Sequence, residues 1–188
     1  MIESEIKITA DIISRGGIIL YPTDTIWGIG CDATNPESIQ KIYQIKCRAD
    51  SKSMLVLIND ISMLENYLDN VPRLALDIIE QAEKPTTIIY PGARNLADNL
   101  VAPDGSIGIR LTSDPFCRKL IETTGLPIVS TSANISGEQS PATFHKILIT
   151  IREQVDYIVK WRQDDTTTTT ASSIIKLEMD GTITTLRP

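Results

Sequence analysis

Two polar clusters far apart in the chain carry the residue types that handle anions: Lys46-Cys47-Arg48 and Ser130-Thr131-Ser132-Ala133-Asn134. The first supplies fixed positive charge, the second hydroxyls and an amide. Pro22-Thr23-Asp24-Thr25 adds a third polar group, and all three follow segments that read as regular structure. Residues two apart do not share a helix face. A helix ending near Lys46 nevertheless lets the next loop turn Arg48 back beside it. Such a pair suits a phosphate chain, the arginine gripping two oxygens. The plain alternative is that Lys41, Lys46, Arg48 and Lys52 complement the dipole of a helix C-terminus. Because Lys46 and Arg48 lie at a helix end, truncating either is expected to disturb little core.

Other candidates narrow the chemistry. Ser130 to Asn134 follows a strand near its carboxyl end, where ligands bind in open α/β sheets; a turn that bonds its own backbone is the competing reading. Arg110 sits inside the apolar strand Ile107 to Leu111. It either points to solvent or is placed for an anion, since burying it unpaired is costly. Gly28, Gly30 and Ala33, with Asp50 beyond, fit a dinucleotide fingerprint. That motif must open a helix directly, and here the helix signal begins only at Asn35-Pro36. No GxxxxGK[ST] motif occurs, so a nucleotide site must be assembled from dispersed residues. Cys47 has no base partner in sequence and reads as a bystander thiol.

Composition sets the frame. The chain has 188 residues, which favours one domain, 1–188. Aromatics are 5% against 41% hydrophobic residues, so the core must be built from Ile, Leu, Val and Ala. A net charge of −6 argues against a dedicated nucleic-acid binder, which shows a basic surplus. Cys31, Cys47 and Cys117 form no CxxC pair and read as free thiols in a reducing compartment. His145 is the only histidine, which leaves little for a His-bearing zinc cluster or a Ser-His-Asp triad. The acidic N-terminus has no signal-like apolar stretch, and no apolar run reaches the ~20 residues that span a membrane. A cytoplasmic protein is expected.

The elements that must position these residues follow from periodicity and punctuation. Ile6, Ala10 and Ile13 define a helix ended by Gly16-Gly17, and Ile18 to Tyr21 a strand stopped by Pro22. Asn35-Pro36-Glu37 starts a helix with buried face Ile39, Ile42 and Tyr43. Strands are expected at Met54 to Ile58, Thr86 to Tyr90, Ser106 to Leu111 and Pro127 to Thr131. Helices are expected from Ile61, from Pro72, from Asp114-Pro115 to Gly125, and over Thr143 to Gln154. Ser173 to Met179 and Thr182 to Leu186 flank Asp180-Gly181, a hairpin signal. Alternating strands and helices, with several continuously apolar strands, predict an α/β sheet covered on both faces. The hairpin makes that sheet mixed, and Thr166 to Thr170 reads as a solvated loop leading into it.

In order, Gly16-Gly17, Tyr21-Pro22-Thr23-Asp24-Thr25 with Gly28 and Gly30, Lys46-x-Arg48, and Ser132-x-Asn134-x-Ser136-Gly137 resemble the YrdC-like threonylcarbamoyl-AMP synthase family. The resemblance runs from about Ile6 to Arg187. It implies a twisted, open, mixed sheet with helices on its faces and a locally basic cleft. It implies that L-threonine, bicarbonate and ATP, with Mg²⁺ accompanying the ATP, give threonylcarbamoyl-AMP and pyrophosphate. The product feeds the N6-threonylcarbamoyl modification of adenosine 37 in tRNAs that read ANN codons, with transfer done by separate proteins. Carried over by position, Lys46, Arg48, Ser132 and Asn134 form the reaction centre. Arg48, Lys52, Ser106, Ser132, Ser140 and Arg187 match positions that contact ATP. Thr25, Arg110, Ser130 and Ser172 match positions that hold threonine, Arg110 pairing with its carboxylate. The residues before Ser172 occupy the place of a loop that closes over the substrate. The sequence departs from the pattern at Ala49, at Leu57, at Pro91 to Asn95 and at Asp164 to Ala171. A related domain binding double-stranded RNA, or a paralogue with little synthase activity, is the alternative.

The acidic balance yields the first prediction. Duplex RNA and tRNA bind weakly at physiological salt, with a shallow dependence on salt concentration, and Mg²⁺-ATP displaces them. Tight, steeply salt-dependent binding that ATP leaves unchanged, in titrations at two salt concentrations, would put the RNA-binding alternative first.

Overall fold

The computed structural model describes residues 2–47, 54–178 and 180–188. Among the described residues nine strands form one mixed sheet: β1 Ile19–Tyr21, β2 Gly28–Gly30, β3 Leu55–Ile58, β4 Thr86–Tyr90, β5 Ile107–Leu111, β6 Ile128–Ser132, β7 Tyr157–Ile158, β8 Ser173–Leu177 and β9 Ile183–Arg187. Their order is β7-β1-β2-β6-β3-β5-β4-β8-β9. The pairs β1/β7, β3/β5 and β4/β8 are parallel; the other neighbours are antiparallel. The helices are α1 Ile2–Ser14, α2 Pro36–Ile45, α3 Leu64–Tyr67, α4 Arg73–Gln81, α5 Pro115–Thr124 and α6 Ile149–Arg152. No helix among the described residues is long and apolar enough to cross a membrane.

Local chemistry explains the boundaries. Asn35 caps α2, its side chain accepting from the N–H groups of Glu37 and Ser38, with Pro36 at the first helical position. Asp114 caps α5 in the same way through Cys117 N–H. Gly125 ends α5 at φ 67°, a left-handed conformation that costs glycine nothing. The terminal hairpin forms as expected, with a register shift between Ile174 and Ile175.

Strand alternation sorts the side chains into two cores. Leu20, Ile29, Val56, Ile88, Ile109 and Val129 point to one face, where Ile39, Ile42 and Tyr43 of α2, Leu64 of α3 and Ala75 of α4 join them in one buried cluster. Ile19, Tyr21, Leu57 and Ile128 point to the other. There they meet Ile6 and Ile13 of α1 and Phe116, Leu120 and Ile121 of α5. Glu5 fastens α1 across this layer, accepting from Tyr157 Oη at 2.9 Å and Lys160 N–H at 2.7 Å. The second cluster covers only part of its face. By the two-residue period, Ser130 and Ser132 continue the row begun by Ile128, and Gly108 and Arg110 lie on the same side.

Three expectations need correction. The segment Thr143 to Gln154 is not one helix: a 3₁₀ turn at Phe144–Lys146 is followed by the short α6, with Ile147 and Leu148 extended between them. Thr143 makes no side-chain cap bond, and the β-branched Ile147, Ile149, Thr150 and Ile151 weaken helical continuity. Arg152 Nη2 closes the break by donating to Phe144 O at 2.7 Å. From Ile61, only a 3₁₀ turn at Ile61–Met63 and the one-turn α3 form. Strands β2 and β7 were not anticipated. The rejection of the dinucleotide fingerprint stands on the same ground: Gly28 and Gly30 belong to a strand.

Gly30 is dictated by packing. A Cβ there would lie 2.3 Å from Val129 O and 2.7 Å from the Tyr21 ring, whose hydroxyl donates to that same carbonyl at 3.1 Å. Gly30→Ala is therefore expected to lower unfolding stability by about 2 kcal/mol, as overpacking does. Urea denaturation checks this, and an unchanged midpoint would show that β1 and β2 relax freely.

Candidate functional site

The uncovered part of the second face is the floor of a cleft of about 240 Å³. Leu55 of β3 and Thr87 and Ile89 of β4 lie in its lining, and five further segments bring the polar groups. The turn after β1 gives Thr25, β2 gives Gly28, β5 gives Gly108 and Arg110, β6 and its loop give Ser130, Ser132 and Ser140, and the last hairpin gives Ser172 and Arg187. The floor is open because it is small: Gly28 carries no side chain above Ser130, and a Cβ on Gly108 would meet Thr87 Cγ2 at 3.3 Å.

Arg110 is buried, so it does not point to solvent, and its charge is met within the protein. Its Nη2 meets Asp24 Oδ1 at 2.9 Å and Thr25 Oγ1 at 3.3 Å. Its Nε is buried with no partner. A buried donor without an acceptor costs about 1–3 kcal/mol. Thr23 Oγ1 donates to Ile26 O at 2.8 Å, so the proton in its 3.0 Å contact with Thr25 Oγ1 comes from Thr25. The Thr25 hydroxyl therefore offers the cleft a lone pair. At the other end, Arg187 donates from Nε to Ser172 O at 2.7 Å and from Nη2 to Ser172 Oγ at 3.4 Å, and Ser172 Oγ also bonds Thr87 Oγ1 at 2.8 Å. Burial, and then the charge on Arg110, hold the Arg187 pKa below its ordinary value. Both guanidiniums thus act on the same space.

The two polar clusters are joined directly. Lys46, the C-cap residue of α2, is buried, and its ammonium donates to Ser132 O and, at 2.7 Å, to Asn134 O. Ser136 N–H returns a bond to Lys46 O at 2.9 Å. Asn134 Nδ2 closes its own loop on Ile135 O and Glu138 O, at 3.0 and 2.8 Å, while its Oδ1 is buried without a partner. Neither side chain lines the cleft; both stand behind its β6 wall. The expectation that truncating Lys46 would disturb little core is therefore wrong. The ammonium is integral to the loop, because strand-end carbonyls need donors and a buried charge needs bonds.

Of the other expected residues, Thr25, Arg110, Ser130, Ser132, Ser140, Ser172 and Arg187 come together on the cleft. Ser106 does not: its hydroxyl and N–H both bond Asp104 Oδ1, at 2.6 and 3.1 Å, in the turn before β5. Arg48, Lys52 and the departure at Ala49 lie outside the described residues. Leu57, another departure, is buried against the α1/α5 layer. Asn95, at φ 54°, donates to Asn66 O at 2.7 Å, so part of the divergent 91–95 segment serves the scaffold. Reading the sequence missed Thr87, Gly108 and the role of Asp24. Gly108 was traceable as the gap two residues before Arg110 on one strand face. Arg162 was also missed: it joins Thr23 O at 3.2 Å, Asp114 at 2.9 Å and Asp165 at 3.1 Å, tying the Thr-rich loop to the turn after β1.

A half-covered α/β sheet with a cleft lined by hydroxyls and two arginines places this chain among α/β proteins whose cleft chemistry suits small anionic ligands. The chain matches the Sua5/YciO/YrdC family model, described as telomere recombination, over residues 11–188, and it belongs to that family. It is 29% identical over 184 residues to a threonylcarbamoyl-AMP synthase of Pseudoalteromonas translucida, covering 96% of this chain and 97% of that protein. A threonylcarbamoyl-AMP synthase of Pseudomonas aeruginosa is 29% identical over 154 residues, covering 81% and 83%. Among solved structures it resembles P. abyssi Sua5 complexed with L-threonine, with TM-score 0.86 and 25% identity over 97% of this chain; it spans about half of that longer chain, 53%. E. coli YciO superposes with TM-score 0.81 at 25% identity, covering 97% and 87%.

Lys46→Met keeps the side chain's length and removes its donors. Asn134 O then loses a buried donor, while Ser132 O keeps the Asn134 N–H at 2.9 Å, so unfolding stability is expected to fall by about 2 kcal/mol. Chemical denaturation measures it, and a wild-type midpoint would mean that the ammonium is dispensable to the fold.

Proposed function

We propose that this protein makes threonylcarbamoyl-AMP from L-threonine, bicarbonate and ATP, releasing pyrophosphate, for the modification of tRNA. One observation carries the reading. Thr25, Arg110, Ser130 and Ser172, the four residues matched to threonine recognition, come from distant segments and meet on a single cleft. Ser132, Ser140 and Arg187, matched to ATP, line the same cleft. The printed names of the relatives point the same way.

Threonine's carboxylate is assigned to Arg110, which has a buried donor to spare. Its amine, held near the Thr25 lone pair, attacks bicarbonate or its dehydrated form to give a carbamate. A carbamate oxygen then attacks the α-phosphorus and pyrophosphate leaves. Apart from the free amine the reactants are anionic, so gathering them is the main electrostatic problem. Fixed cations offset the repulsion and stabilise charge on the transferring group, and positioning supplies the rest. Lys46 and Asn134 serve this chemistry by fixing the β6 loop that carries Ser132, and Arg48 and Lys52 are assigned to the phosphates. Among the described residues no cluster of three or more His, Cys, Asp or Glu could hold a metal ion. Mg²⁺ is accordingly treated as part of the Mg²⁺-ATP substrate, neutralising phosphate charge. The separate proteins that transfer the product to tRNA act downstream.

Purified protein with Mg²⁺-ATP is expected to release pyrophosphate above background only when both threonine and bicarbonate are present, with a product of the matching mass. Equal release with and without the two substrates would defeat the synthase reading.

A further inference from the structure

The cleft holds two arginines whose charges are treated differently. Arg110 is 3% exposed and faces the Asp24 carboxylate at 2.9 Å. Asp24 is itself fixed: Oδ2 accepts from Thr112 Oγ1 and from Ser113 N–H, each at 3.1 Å, and the side chain is 8% exposed. Arg187 bonds only to the carbonyl and hydroxyl of Ser172, so no carboxylate among the described residues offsets its charge.

This asymmetry has a chemical meaning. A phosphate chain carries several charges and gains most from a cation whose charge is not cancelled. A single carboxylate depends more on donors held in a fixed fork. Asp24 cancels the formal charge of Arg110 yet occupies only one of its nitrogens, and Nε still lacks an acceptor. The Arg110 end of the cleft is thus rich in donors and nearly neutral, while the Arg187 end keeps its positive charge. Two anionic substrates that share one cleft must not exchange places, because swapped binding puts the amine and the α-phosphorus out of reach of each other.

We propose that Asp24 is a specificity-determining positioning residue: by pinning and neutralising Arg110 it reserves that end of the cleft for an amino acid's single carboxylate and turns phosphate groups away toward Arg187. The proposal rests on the reading of the cleft as the shared site of threonine and ATP.

The test is equilibrium binding of threonine by calorimetry, without nucleotide, with and without millimolar inorganic phosphate. Wild-type affinity is expected to be unaffected by phosphate. In Asp24→Asn, phosphate should compete and weaken threonine binding by roughly tenfold. Asp24→Glu keeps the charge and should stay insensitive to phosphate, even where its longer side chain lowers affinity for threonine. A purely structural role for Asp24 would weaken threonine binding in both variants without creating competition by phosphate. The wild-type protein gives a second readout that needs no variant to fold. The phosphonate analogue of threonine, which carries a dianion in place of the carboxylate, should bind at least roughly tenfold more weakly than threonine. Insensitivity of Asp24→Asn to phosphate, or equal binding of the analogue to the wild type, overturns the proposal alone. Absence of threonine binding by the wild type overturns the site reading as well, and pyrophosphate release registers that failure independently.

Discussion

The site is organised around a buried ammonium. Lys46 leaves α2 at its last turn and places its charge on the carbonyls of Ser132 and Asn134. Each partner needs the other: a lysine out of water is unstable without acceptors, and carbonyls at a strand end are unstable without donors. Ser136 N–H bonds back to Lys46 O, and Ala133 N–H bonds Trp27 O. Helix α2, strand β6 and the segment before β2 are thereby held as one unit. The two polar clusters are not separate motifs that happen to share a pocket. They are the two halves of a single hydrogen-bonded joint, and the serines on the cleft wall take their positions from it.

The cleft itself exists because one face of the sheet is only partly covered. The face carrying Leu20, Ile29, Val56 and Val129 is packed against α2, α3 and α4. On the other face α1 and α5 bury Ile19, Tyr21, Leu57 and Ile128 and go no further. Beyond them β2, β5 and β6 present Gly28, Gly108, Ser130 and Ser132 on that face without changing their alternation, while Leu55 and Ile89 keep part of the cleft apolar. Small residues keep the floor low and leave the walls to bear the specific groups. The fold thus spends large apolar residues on stability at one end of a face and withholds them at the other, as sites built on rigid strands require.

Much of the scaffold was legible because its signals are local. Asn35-Pro36, Asp114-Pro115 and Gly125 mark helix ends through bonds made within a few residues, and Asp180-Gly181 marks a hairpin. What escaped notice depends on contacts between distant residues. The strand β2 is three residues, two of them glycine, and forms only because β1 and β6 lie on either side. The polarity of Arg110 was readable, but its direction was not, since Asp24 lies 86 residues away in sequence. The cationic character of Lys46 suggested either a dipole complement or a phosphate ligand. It bonds carbonyls of a loop 86 to 88 residues on, a partner no spacing rule within α2 could indicate. Seven of the residues carried over by resemblance nevertheless fell on one cleft, because a motif's order along the chain encodes which strand ends adjoin even where side-chain contacts stay hidden.

Arg187 lies on β9, a strand at the edge of the sheet whose residues are all exposed. An edge strand with little buried surface opens at low free-energy cost, well below that of global unfolding. The end of the cleft that keeps its positive charge is therefore carried by an exposed edge of the sheet. A ligand that engages Arg187 binds only the closed hairpin, so occupancy and local folding of the last strand are thermodynamically linked. The affinity of any ligand held by Arg187 therefore contains the folding equilibrium of this edge.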